Sequence, residues 1–193
     1  MKTLTSREAV DWVNATGLTA NAVPNVLPHV LLPNVALPDD SGFVFTVRWP
    51  KILPYQVPFF ATLFLPGFDE EAGNCLFWLR DNGASGVAEF EVACRTLEML
   101  RAAHGENRAI LESPAYLLEP ADAVDARLLL TMSVLFCWDA YVVPRHGRYF
   151  VWIDDDEAAD VHCRNREDYE KLLARFRDWG LVPEVAQNDQ ATC

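Results

Sequence analysis

"AYVVPRHGRYFVWIDDDEAADVHC", residues 140–163, decides how the chain is read. Residues 140–143 and 148–153 are rich in Val, Tyr, Phe and Ile, the side chains that suit a pleated surface. Four residues ending in Gly147 separate them, which predicts a hairpin. Asp154, Asp155, Asp156 and Glu157 follow as a charged turn, and 158–163 returns as a third strand. If 148–153 pairs antiparallel with 158–163, Arg148 lies near Cys163 and the four acids sit at the opposite end of the sheet.

C-terminal to this unit, Asn165 is placed to cap a helix with Asp168 in its first turn. Tyr169, Leu172, Leu173 and Phe176 recur at helical spacing, Gly180 stops the helix, and Pro183 prevents its resumption. The chain from about 184 is polar and expected to fray.

N-terminal to it the pattern is more varied. Thr5-Ser6-Arg7-Glu8 has the form of a capping box and predicts a helix over 6–15. Prolines at 24, 28, 33 and 38 predict extended, non-helical chain, read as a Pro-rich strap within an N-terminal segment 1–40. Strands are expected at 43–49, 59–65 and 75–79, most simply as an antiparallel meander. Helical spacing predicts a helix over 87–103, with Arg95, Glu98 and Arg101 off its apolar side. A short strand is expected at 109–112 and a deeply buried helix over 120–136, carrying Val124, Leu128, Leu129, Met132, Leu135 and Phe136. The expected fold is therefore α+β: largely antiparallel sheet packed by two or three helices, with a Pro-rich extended N-terminal segment, in one domain over 1–193 with its core at 41–183.

The bulk numbers exclude some classes. The 193 residues are 51% apolar with net charge −12, and only three of the basic residues are lysines (Lys2, Lys51, Lys171). A nucleic-acid backbone needs clustered cations, so nucleic-acid binding is not expected. Prolines and asparagines interrupt the uncharged stretch 12–38, so a membrane helix is not expected either. Five scattered cysteines without a C-x-x-C fit free thiols in a reducing compartment. No signal peptide is read, and a cytoplasmic location is expected.

Candidate chemistry gathers around the opening stretch. The four acids could attract a hard cation, but the EF-hand spacing is absent and acids in a turn mostly face water. His162 and Cys163 both ligate zinc, yet adjacent strand residues point to opposite faces. No metal or cofactor is expected. Cys163 as a nucleophile would need a lowered pKa and a base, His146 or His162. No phosphate-binding glycine loop, zinc-protease or nucleophile-elbow motif is present.

The far end of the strand pair gathers Arg145, His146, Arg148, His162, Cys163, Arg164 and Arg166 beside a helix N-terminus. That cationic pole is the candidate binding site, for an anion or an acidic surface. The competing reading, favoured on general grounds, pairs those arginines with Asp139, Asp160 or Glu167. Three functions are carried forward. The first is a non-catalytic binding or regulatory protein for a basic protein partner, of immunity-like or adaptor type. The second is a small enzyme using the Arg/His/Cys pole on an anionic substrate. The third is a homo-oligomer, such as a homodimer, exchanging an N-terminal arm.

Overall fold

A computed structural model describes residues 1–24, 31–38, 42–49, 56–64, 74–81, 88–154 and 156–185. In chain order its elements are β1 (Lys2–Leu4), α1 (Ser6–Asn14), β2 (Thr19–Pro24), β3 (Leu31–Ala36), β4 (Phe43–Arg48), α2 (Val57–Ala61), β5 (Cys75–Asp81), α3 (Ala88–Ala103), β6 (Ala115–Leu118), α4 (Ala123–Phe136), β7 (Asp139–Pro144), β8 (Tyr149–Asp154), β9 (Ala158–Cys163), α5 (Arg166–Asp178) and β10 (Glu184–Val185). Eight strands form one sheet in the order β1-β6-β5-β7-β8-β9-β4-β10, each pair antiparallel. β2 and β3 form a separate two-stranded sheet. The class is α+β, as expected.

The opening stretch folds as read, with one residue of difference in register. Tyr149 pairs with Cys163 and Asp154 with Ala158, and the Arg164 N–H donates to the Arg148 carbonyl at 2.8 Å. Glu157, immediately before β9, has a left-handed φ of 59°. Gly is the residue that usually takes that conformation. α1 begins at the expected capping box: the Glu8 N–H donates to the Thr5 hydroxyl, and the Thr5 N–H to the Glu8 carboxylate. α5 begins at Asn165, whose side chain accepts from the Asp168 N–H at 2.8 Å.

Several elements differ from expectation. The apolar run around 59–65 is helical, with α2 running into a 3-10 turn at Thr62–Phe64. A short run apolar on all sides does not distinguish a buried strand from a buried helix, and Pro58 near the helix start tips the balance. The meander is therefore not formed. β4 lies between β9 and β10, while β5 sits between β6 and β7. The strand expected at 109–112 is a 3-10 turn at Ile110–Glu112, and the strand follows it at β6. The 19–24 and 31–36 segments are extended but paired with each other as a hairpin instead of running as a single strap. Residues 25–30 of that stretch lie outside the described residues.

The layers follow from the pleat. α2, α4 and α5 contribute to the larger core on one face, with Phe45, Phe64, Phe77, Leu97, Leu129, Val151, Cys163 and Phe176 within it. On the other face α1 and the β2–β3 hairpin enclose a second cluster with Leu76, Trp78, Tyr141, Val143 and Phe150. α4 buries part of the arc read from sequence: Leu129 and Met132 are in the core, and Leu128 and Phe136 pack against it. Val124 and Leu135 are exposed, and Ala126, Leu129, Leu130, Met132, Ser133 and Val134 face inward. The helix ends at Cys137 in the left-handed region, φ 49°, where glycine is the usual residue.

Arg101 departs furthest from its reading. It is 1% exposed. Its guanidinium donates to the carbonyls of Arg108, Ala109 and Ser113, to the Ser113 hydroxyl and to the Tyr116 hydroxyl. One planar fork thus fixes the chain between α3 and β6. Each acceptor left unsatisfied in the interior costs ~1–3 kcal/mol, so Arg101→Met should lose at least ~3 kcal/mol. Arg101→Lys keeps the charge but not the fork, and should fall within ~1 kcal/mol of the Met variant. Urea denaturation of the three proteins checks both figures.

The β7–β8 turn presses on the end of α1. A Cβ at Gly147, φ 60°, would stand 2.3 Å from the Thr16 carbonyl oxygen. Gly105, φ 78°, has nothing within 4 Å of the same position. Gly147→Ala should cost ~2 kcal/mol or more, and Gly105→Ala only ~1 kcal/mol, the backbone term alone. Denaturation midpoints of the two variants measure the difference.

Candidate functional site

In antiparallel pairing, residues directly opposite share a face. His162 lies between Phe150 of β8 and Val44 of β4, and Cys163 between Tyr149 of β8 and Phe43 of β4. His162 and Cys163 therefore lie on opposite sides of the sheet, as alternation demands. Cys163 is fully buried in the larger core, and burial pushes its thiol up to about 12. A thiol so placed is overwhelmingly protonated at neutral pH.

His162 lies on the other face. Its ring stacks on Phe150 with centroids 4.4 Å apart and planes 7° from parallel. Its Nε2 is buried with no hydrogen-bond partner among the described residues. His146 accepts the Arg148 N–H at Nδ1 (3.0 Å), and its ring lies 5.0 Å from Tyr149. The two histidines thus rest against different strand residues on opposite faces.

The arginines of the cationic pole engage their own chain, though not the carboxylates first considered. Arg145 lies over the Trp12 ring of α1, 5.4 Å from its centroid. Arg164 donates to the Gly17 carbonyl just beyond α1. α1 has no basic residue in its last turn, so these two cations stand where the negative end of its dipole needs them. Arg148 stands 3.7 Å from Asp168, and Arg166 pairs with Glu170 at 2.7 Å on the surface of α5. The structure brings these side chains to one end of the sheet but divides them between the sheet's two faces, α1 and α5.

The opposite end holds an arrangement that the sequence did not suggest. The register aligns Tyr141, Trp152, Asp160, Thr46 and Glu184 as successive neighbours across β7, β8, β9, β4 and β10. The Trp152 indole N–H donates to Asp139 at 2.6 Å, and Arg80 Nη1 to the other Asp139 oxygen at 2.8 Å. The Arg80 guanidinium lies over the Trp152 ring at 5.5 Å, and Tyr141 stacks beside it at 6.1 Å. Burial pushes the Asp139 carboxyl above its usual range, against the pull of Trp152 and Arg80. Thr46 fixes Asp160 with a 2.6 Å hydrogen bond. Asp154, Asp156 and Glu157 close the hairpin, and among the described residues no cation stands at ion-pair distance from any of these three or from Asp160. Asp139 and Asp160 were visible in the sequence only as possible partners for the arginines. Their shared neighbour Trp152 emerges only from the pairing.

Among the described residues no group of three His, Cys, Asp or Glu is gathered closely enough to hold a metal ion. No described helix is long and apolar enough to cross a membrane. Comparison with family models, curated proteins and solved structures returns no match for this chain.

Burial lowers the His162 pKa from its ordinary value of 6.5, with Asp160 opposing. The unfolded chain then takes up the proton first. Stability from this group is complete above about pH 6.5 and falls as pH drops toward the folded pKa. His162→Phe keeps the ring against Phe150 and removes the titration. Its stability should decline less than wild type between about pH 7.5 and about pH 5.5, measured by urea denaturation at each pH.

Proposed function

We propose that this protein is a non-catalytic binding protein whose partner is a basic protein. The observation that carries the reading is the distribution of charge along the last three strands. The arginines at one end are engaged by α1 and α5, and the acids around the β8–β9 turn have no cation among the described residues. With a net charge of −12 over the chain, the unbalanced potential is negative, and it favours encounter with a positive surface. A reducing cytoplasmic setting suits the free thiols at Cys75 and Cys163.

The enzymatic alternative, in which Cys163 attacks an anionic substrate with His146 or His162 as base, draws less support. The thiol is buried in the core and His162 faces away from it. An exchanged N-terminal arm also draws less, because α1 and the β2–β3 hairpin pack against the chain's own sheet.

Calorimetric titration tests the reading with an arginine-rich dodecapeptide as probe and a glycine-serine peptide of equal length as control. Only the cationic peptide should bind at low salt. Its affinity should fall about tenfold or more at physiological ionic strength, where the Debye length is about 8 Å. Equal heats from both peptides would refute the proposal.

A further inference from the structure

We infer, resting on that reading, that the basic partner docks on the half of the sheet face that α1 and the β2–β3 hairpin leave without a described covering. The two faces are treated differently. On the helical side α5 covers β4 and β9, with Phe45 packed against Tyr169 and Phe176. On the other side the described second layer encloses side chains of β5, β7 and the start of β8, and its margin reaches Trp152, with the Arg80 guanidinium over the Trp152 ring. Beyond Phe150 the same face turns polar: Trp152, Asp154, Asp160 and Thr46 are half-buried, and Arg48 and Glu184 are exposed and paired with each other at 3.4 Å.

Charge complementarity identifies the occupant. Asp154 and Asp160 flank Trp152 on this face, and Asp156 and Glu157 extend the negative charge into the adjoining turn. The complementary surface presents Arg or Lys side chains. The face is also held in shape before any partner arrives. Asp139 and Tyr141 fix the Trp152 ring, and Thr46 fixes Asp160. Side chains already ordered lose little entropy on binding, and Trp is among the residues enriched at interface hot spots. Trp152 is accordingly the central contact, with Asp154 and Asp160 meeting the cations.

The test uses the full chain labelled with 15N and titrated with the same arginine-rich dodecapeptide. Amide shifts should concentrate at 44–48, 152–160 and 184–185. Asp154→Ser/Asp160→Ser should weaken binding about tenfold or more, while Glu98→Ser/Asp178→Ser, an equal change of charge on exposed helix positions, should weaken it less than about twofold. Equal losses in the two double variants, or shifts centred on the helices, would overturn the docking site and leave the basic-partner reading standing. A wild type that does not bind the peptide overturns that reading and the docking site with it. Sedimentation of the free chain supplies the remaining outcome. A dimer dissociated by Asp154→Ser/Asp160→Ser would make the occupant a second copy of this chain and overturn the proposal.

Discussion

The pairing of β8 with β7 on one side and β9 on the other governs the molecule. It fixes which of each two neighbouring residues enters the helical core and which meets the second layer. Val151 and Val161 go to the larger core, and Phe150 and His162 go to the other face. A one-residue slip would exchange these sets, placing Asp160 and Trp152 on the helical face and the valines on the face of α1 and the β2–β3 hairpin. The left-handed residue at Glu157 and the close approach of Gly147 to Thr16 hold the two hairpins at this register.

Charge is handled unevenly. Three arginines find acceptors other than carboxylates: Arg101 takes carbonyls and hydroxyls, Arg164 a carbonyl beyond α1, and Arg145 an indole face. Each such arrangement removes a cation from the pool available to neutralise acids. The excess of acid in the composition is therefore enlarged locally, and it concentrates where the β8–β9 turn leaves the sheet.

Much of the last third was legible. Alternation and turn chemistry located β7, β8, β9 and α5 within a residue or two, because hairpin and cap signals are local and act on adjacent residues. The elements that went unread depend on distant contacts. Val57–Ala61 packs against α4, and apart from Pro58 at the helix start nothing inside that apolar run states this. β1 exists because β6 is there to receive it. Arg101 occupies an interior position because the chain at 108–116 bends around it, a relation that helical spacing reports as a polar face. The candidate site shows the same division. The arginines and histidines were read because they are adjacent in sequence. The Tyr141, Trp152, Asp160 and Thr46 row was missed because its members come from four strands and meet only through register.

The sheet's outer strands are its shortest, three residues at β1 and two at β10. Behind β10 lies β4, six residues long and largely apolar on its inner face. Among the described residues, the peptide groups of β4 that face away from β9 are covered by one two-residue pairing with Thr46 and Phe45. An edge bared by loss of that pairing is a template for a foreign strand. The seating of Glu184 and Val185 on β4 therefore bears on edge-to-edge aggregation as well as on stability.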